Sequence, residues 1–154
     1  MSRAFVKEQD VESFEDLPDR QISEVPNDVT VEGMAQIEEA LDASRTAFAV
    51  AQAADDRAAM AAASRALRYW SARHATARIV LNSEDTAQVH FGSAVTILRD
   101  DGREQTYRIV GEDQADPSRG TISHGSPLAR ALLGKRVGDT VKAGNGDAEI
   151  RNIQ

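Results

Sequence analysis

The side chains that could carry chemistry are few in this chain of 154 residues. It has no cysteine, which excludes thiol catalysis, disulfides and cysteine-based zinc sites. Its histidines, His74, His90 and His124, do not stand at metal-ligand spacing. The sequence contains no phosphate-binding P-loop, nucleophile elbow or dinucleotide-binding glycine motif. It therefore predicts no catalytic centre of the chain's own.

Two neighbouring carboxylates, Asp55 and Asp56, lie between two helical patterns. The first pattern begins at Thr30, a residue type favoured as an N-cap. Its apolar stripe consists of Val31, Met34, Ile37, Leu41 and Phe48. The second pattern begins near Arg57, and its stripes are Met60, Leu67, His74 and Ala63, Trp70, Ala77. Two such stripes predict an antiparallel hairpin of helices.

The bend of this hairpin has an open alternative. No glycine or proline stands between Val50 and Ala62, so one continuous helix over residues 31–79 competes with the hairpin. Asp55 or Asp56 can instead cap a second helix. On a continuous helix adjacent acids diverge by about 100°, so they converge only if the turn brings them together.

The second helix is basic and the first is acidic, which favours pairing of Arg65, Arg68 and Arg73 with the first helix. Contact of these arginines with nucleic acid or with the acidic walls of a channel is the alternative. We expect Trp70 to pack at the base of the hairpin, and His74 to be a packed or capping residue.

The C-terminal part has strand patterns. Ala94–Arg99 and Glu104–Val110 are rich in β-branched and aromatic residues, and Asp101-Gly102 between them predicts a hairpin turn. Ser126-Pro127 then opens a short apolar segment that stops at Gly134, which predicts one short helix. The fold class is therefore α+β.

These residues carry a resemblance to a known family. The motifs are Phe91-Gly92-Ser93-x-Val95, Tyr107-Arg108-Ile109-Val110-Gly111, Ile122-Ser123-x-x-Ser126-Pro127-Leu128-Ala129-Arg130-Ala131-Leu132-Leu133-Gly134 and Val137-Gly138-Asp139-x-Val141. In this order they resemble the C-terminal domain of the bacterial transcription elongation factors GreA and GreB. Thr30-x-x-Gly33 is similar to the opening of that family's helical arm.

Composition and this resemblance together divide the chain into three regions. Residues 1–29 are an acidic extended leader, residues 30–80 an antiparallel coiled-coil arm, and residues 81–154 a small FKBP-like antiparallel β domain with one short helix. The leader holds eight acids against three bases. We expect it to be an extended tail, with a docking peptide for a basic partner as the alternative.

The resemblance also implies a partner and a cofactor. The partner is RNA polymerase at its secondary channel, with DNA and RNA contacted only indirectly, and docking falls on His124, Gly125, Ser126, Pro127 and Leu128. Asp55 and Asp56 stand where the family's arm tip helps to hold a Mg²⁺ ion at the polymerase active site. The family's tip has two acids three residues apart, whereas here Ala58 and Ala59 follow at that spacing.

Function is therefore expected in transcription elongation, with stimulated transcript cleavage as one outcome. The alternative is a competitor of the anti-Gre or Rnk type that binds the channel without supporting cleavage. A prolyl isomerase is disfavoured, because Phe91 and Tyr107 alone would line its pocket. The net charge of −7 opposes tight binding of duplex nucleic acid. The sequence has no apolar run of the roughly 20 residues that span a membrane, so we expect a cytoplasmic bacterial protein without a membrane partner.

Overall fold

The computed structural model describes residues 18–154, which form two compact units. One unit contains residues 18–24 and 36–76, and the other contains residues 25–35 and 77–154. Residues 1–17, which belong to the predicted extended leader, lie outside the described residues. Within residues 18–154, no helix has the length and apolar character needed to cross a membrane.

Two helices joined by a sharp turn form the hairpin. Helix α1 spans Val31–Ala53 and helix α2 spans Arg57–Thr76. The helical path ends at Asp55, whose φ of +51° is left-handed. Near the other end, His74 Nε2 lies 3.7 Å from Glu38 Oε1, so the helices run antiparallel. The hairpin prediction is therefore confirmed, and a continuous helix over residues 31–79 is excluded.

The buried face of α1 is centred on Ile37 and Leu41, as the stripe predicts. Val31, by contrast, is 55% exposed. It stands six residues before Ile37, and at about 100° per residue it points roughly 120° away from that face. On α2, Ala63 of the predicted stripe is buried. Arg73 is buried as well, with 2% exposure, whereas the side chain of the predicted His74 is 42% exposed.

Besides the first five residues of α1, the second unit contains seven strands and one short helix. The strands are β1 (Asp28–Val29), β2 (Arg78–Ile79), β3 (Ala94–Arg99), β4 (Glu104–Val110), β5 (Thr121–Ser123), β6 (Thr140–Ala143) and β7 (Gly146–Ile153). Helix α3 spans Pro127–Leu132 and lies between β5 and β6 in the chain. Strands β1 and β2 form a separate parallel pair, with Asp28 opposite Arg78 and Val29 opposite Ile79.

The main sheet has the order β5-β4-β3-β7-β6. The predicted hairpin is present, because β3 and β4 pair antiparallel and Gly102 in their turn has a φ of +85°. All neighbouring strands of this sheet are antiparallel except β4 and β5, which are parallel. Residues 111–120, with 3₁₀ turns at Glu112–Gln114 and Pro117–Arg119, form the connection that a parallel pair requires.

Helix α3 packs on this sheet and closes the core. Ala129 and Leu132 of α3 are fully buried, together with Ile97, Ile109 and Ile150 from three strands. Along β3 the buried residues alternate with partly exposed ones, which is the two-residue period of a strand with one face on a core. The core therefore fixes both the sheet and the loop that precedes α3.

Candidate partner-binding surfaces

The predicted tip acids lie together in the turn of the hairpin, and both are exposed. Asp56 Oδ1 accepts a hydrogen bond from the Ala59 backbone N–H at 3.1 Å, so it is the N-cap of α2. Asp55 precedes it in the left-handed region, which aspartate tolerates better than most residues. Asp56 therefore has a structural role that occupies one carboxylate oxygen, whereas the Asp55 carboxylate projects from an exposed turn.

The tip does not fit a Mg²⁺ site that this chain holds by itself. Among residues 18–154, no three histidine, cysteine, aspartate or glutamate side chains come together in a metal-binding group. Mg²⁺ takes six oxygen ligands in a near-octahedral shell, and one or two carboxylates suffice only when the others come from elsewhere. Asp55 and Asp56 can therefore contribute to a metal site only together with a partner that supplies most of it.

The predicted docking loop, His124–Leu128, is held from both sides. The His124 backbone N–H donates to the Val110 carbonyl oxygen at 2.9 Å, and the Ser126 N–H donates to Ser123 O at 2.9 Å. Ser126 Oγ caps α3 by accepting from the Ala129 N–H at 3.3 Å, and Pro127 occupies the first helical turn. Pro127 is exposed, so the loop presents this ring from a rigid frame.

The ring of His124 contributes an unusual feature to this loop. It packs edge-on against Phe91, with ring centroids 5.5 Å apart. Its Nε2 atom is buried and has no hydrogen-bond partner among the described residues. A buried polar atom without a partner is uncommon in folded proteins because it lowers the stability of the folded state.

The loop is also contacted by Val25, which sequence reasoning did not place there. A Cβ atom built on Gly125 would lie 3.1 Å and 3.3 Å from the two methyl groups of Val25. Glycine at position 125 thus leaves room for the valine. The sequence gives no signal for this contact, because 100 residues separate the partners and neither stands in a periodic element.

The Thr30-x-x-Gly33 motif has a structural explanation at the start of α1. Thr30 Oγ1 accepts a hydrogen bond from the Gly33 N–H at 2.9 Å and donates to Gln114 Oε1 at 2.5 Å. A Cβ on Gly33 would lie 2.8 Å from that same Gln114 oxygen. Threonine therefore caps the helix and reaches the β4–β5 connection, while glycine makes space for the amide. The predicted N-cap is confirmed, and its partner Gln114 is new.

Glu32 in the first turn of α1 adds a charge effect. Its pKa is lowered chiefly by a hydrogen bond from its own backbone N–H, with smaller contributions from the positive charge of Arg108 and from Thr30. A carboxylate at a helix N-terminus is stabilised in this way by the free N–H groups.

The basic face of α2 differs from its prediction. Arg65 Nε donates to the carbonyl oxygen of Pro18 at 2.7 Å, and Arg68 binds the carboxylate of Asp19. The expectation that Arg65 and Arg68 pair with α1 is therefore wrong. The segment just before β1 competes for the same guanidinium groups, and sequence spacing does not reveal which partner wins.

Comparison with known proteins finds relatives of most of the second unit. Residues 83–152 match the family model described as "Transcription elongation factor, GreA/GreB, C-term". Transcription elongation factor GreB of Neisseria meningitidis serogroup B is 48% identical over 75 residues, 46% of this chain and 46% of that protein. GreA of Vibrio parahaemolyticus serotype O3:K6 is 45% identical over 80 residues, 49% of this chain and 51% of that protein.

A solved structure of GreA/GreB from Nitrosomonas europaea is also similar, with a TM-score of 0.42 and 21% identity over 82% of this chain and 98% of that one. The chain spans about half the length of the curated relatives it matches. The matched residues include β3 to β6, α3 and nearly all of β7. Residues 83–152 are therefore similar to the C-terminal domain of the GreA and GreB transcription elongation factors.

Proposed function

We propose that the chain is a Gre-type transcription factor that binds RNA polymerase near its secondary channel and regulates elongation. The observation that carries the proposal is the match over residues 83–152 to proteins named as transcription elongation factors. The chain acts as a regulator in this proposal, and the catalytic centre is that of the polymerase. Contacts with DNA and RNA are indirect, which agrees with the net charge of −7.

The proposed docking surface is the loop His124–Leu128. Its support is the combination of a rigid frame, given by the backbone hydrogen bonds and the Ser126 cap, with an exposed Pro127 ring. Rigid loops lose little conformational entropy on binding, so they are effective recognition elements.

Pro127→Ala tests this surface, because alanine keeps the helix start and removes the ring. We expect weaker retention of the variant by immobilised RNA polymerase. Val137→Ala is the matched control, since Val137 is 56% exposed and lies outside the loop. Equal retention of Pro127→Ala and Val137→Ala would count against docking through this loop.

The proposed role of the tip is to place a carboxylate near the polymerase active site. Mg²⁺ bound there would lower the pKa of a coordinated water for transcript cleavage. Asp55 is the better candidate ligand, because Asp56 already accepts the cap hydrogen bond from Ala59. The same observation favours a second candidate function, in which the chain occupies the channel and does not support cleavage. With Asp56 engaged, fewer free oxygens remain at the tip.

One assay separates the two functions. A backtracked elongation complex is incubated with the chain and Mg²⁺, and the transcripts are sized. Shortened transcripts that disappear with Asp55→Ala support stimulated cleavage. Protection of the transcript against an added GreA supports the competitor. If the chain neither shortens nor protects the transcript, the proposed function is wrong.

A further inference from the structure

Three successive residues, Pro18, Asp19 and Arg20, lie along α2, and we call them the strap. The Pro18 carbonyl oxygen accepts from Arg65 Nε at 2.7 Å. Asp19 Oδ1 lies 2.8 Å from Arg68 Nε and 2.7 Å from Arg68 Nη2. The guanidinium carbon of Arg20 lies 3.6 Å from the centre of the Tyr69 ring, which is a cation–π contact. Each strap residue thus contributes a different kind of interaction.

The α2 side of this contact is organised by α2 itself. Arg65, Arg68 and Tyr69 stand at positions i, i+3 and i+4, so they share one helical face, which we call the strap face. Arg68 Nη1 donates to Ser64 Oγ at 2.9 Å, which fixes its guanidinium. Tyr69 packs edge-on against Trp70, with centroids 4.9 Å apart and planes at 82°. Contacts within α2 therefore help to orient Arg68 and Tyr69 of the strap face.

The contacts that hold the strap are exposed and weak, so an external ligand can replace them. The side chains of the Arg68–Asp19 pair are 53% and 61% exposed, so water and salt weaken their attraction. Exposed ion pairs and cation–π contacts of this number favour the closed state over the open state by a factor of roughly 10 to 100. The closed state then dominates in the free chain, and an external ligand with the same groups can replace the strap.

We propose that the strap face of α2 is a docking surface for an extended acidic peptide segment of a partner protein, which the strap masks in the free chain. The bound strap defines the chemistry of such a ligand: a main-chain carbonyl for Arg65, a carboxylate for Arg68, and a cationic or apolar side chain over Tyr69. A polypeptide provides all three groups. A polynucleotide offers no cation for the aromatic ring. The proposal stands independently of the loop at residues 124–128.

Masking has a quantitative consequence. A ligand that needs the open state binds with an affinity reduced by the fraction of molecules that are open. Weakening the strap therefore raises the apparent affinity for the ligand, at most by the ratio of closed to open molecules in the original chain. This gain needs no new contact between the ligand and α2. Trp70 is the chain's only tryptophan, and Arg20 lies 5.6 Å from its ring, so its fluorescence reports on the strap.

The test uses a fluorescein-labelled peptide, Pro-Asp-Arg-Gln-Ile-Ser-Glu, with the sequence of residues 18–24. Its affinity is measured by anisotropy for the full chain and for the variant Asp19→Ala with Arg20→Ala. We expect the variant to bind the peptide about tenfold more tightly or better, with a change in Trp70 emission. Adding Arg65→Ala and Arg68→Ala has to abolish the gain. Glu84→Ala, which removes an exposed acid of the other unit, is the matched control and leaves the affinity unchanged.

Three outcomes would overturn the proposal. One is equal affinity of the original chain and the strap variant; another is a gain that survives removal of Arg65 and Arg68. The third is a gain for a single-stranded oligonucleotide but not for the peptide. Circular dichroism at 222 nm checks that the helices persist. If the double variant loses its helices, Asp19→Asn provides the same comparison with a smaller change, and an unchanged affinity there also rejects the masking role.

Discussion

Thr30 offers the most direct test of how α1 is tied to the β4–β5 connection. Its side chain is almost fully buried, with 1% exposure, and its hydroxyl makes two hydrogen bonds. It accepts from the Gly33 N–H and donates to Gln114 Oε1. Thr30→Val keeps the shape and the β-branch but removes both bonds. Because the bond between the Gly33 N–H and Thr30 Oγ1 is buried, solvent does not replace it.

The expected loss can be estimated from the two bonds. Removing an N-cap side chain costs about 1 kcal/mol. Leaving the Gln114 acceptor without its partner costs about 1 kcal/mol more, at the low end of the usual range because Gln114 is half-exposed. We therefore expect Thr30→Val to lower the free energy of unfolding by about 2 kcal/mol. Thr30→Ser retains the hydroxyl and loses one methyl group, so it should cost about 1 kcal/mol.

The assay is urea unfolding at fixed pH, followed by circular dichroism, for the original chain, both Thr30 variants, Gln114→Ala and the double variant. A double-mutant cycle between Thr30→Val and Gln114→Ala isolates the interaction between the two side chains, for which we expect about 1 kcal/mol. A loss of unfolding free energy below about 0.5 kcal/mol for Thr30→Val, or a coupling energy near zero, would refute the assignment of Thr30 as N-cap of α1 and hydrogen-bond donor to Gln114.

Three further predictions concern the loop, the turn and the acid range. Gly125→Ala should lower the free energy of unfolding by about 1 kcal/mol because the added methyl group crowds Val25, and Val25→Ala should restore most of that loss. Equal stability of Gly125→Ala and the original chain would contradict the contact. Asp56→Ala should cost about 1 kcal/mol through the lost cap, whereas Asp56→Asn should cost much less, as measured by thermal unfolding. Hydrogen bonds from Ser118 hold the pKa of Asp116 below its usual value of 3.8. Folding therefore favours the charged carboxylate of Asp116. The charged group stabilises the folded chain fully above the pKa of the unfolded state, and this stabilisation is lost as the pH falls through the lower pKa of the folded state. Asp116→Asn should therefore flatten the fall in melting temperature below about pH 4, and an unchanged acid slope would contradict this cause.

Much of the fold could be predicted because its signals are local. The Asp101-Gly102 turn, the Ser126-Pro127 helix start and the Thr30 cap each depend on the conformational preferences of a few adjacent residues. The two helices follow from an apolar period and an alanine-rich composition. The bend at Asp55 was harder to predict, since no glycine or proline marks it and only a capping side chain competes with the helix.

The contacts that could not be predicted join distant parts of the sequence. Val25 against Gly125 and Thr30 against Gln114 depend on tertiary packing, for which a single sequence carries no periodic signal. Arg65 and Arg68 had two sets of acids within reach, on α1 and in the segment before β1, and charge alone does not choose between them. The sequence pattern also does not predict that Arg73 is buried in place of His74. A shift of one residue in the helical phase decides which of the two side chains is enclosed.

The proposed action of this chain on RNA polymerase can be tested by a competition binding measurement. The chain carries a fluorophore on a cysteine introduced at Glu84, an exposed position outside the proposed surfaces, and is titrated with RNA polymerase before GreA is added. We expect saturable binding that GreA reverses and that Pro127→Ala weakens. Binding that GreA leaves unchanged, or no binding at all, would contradict it.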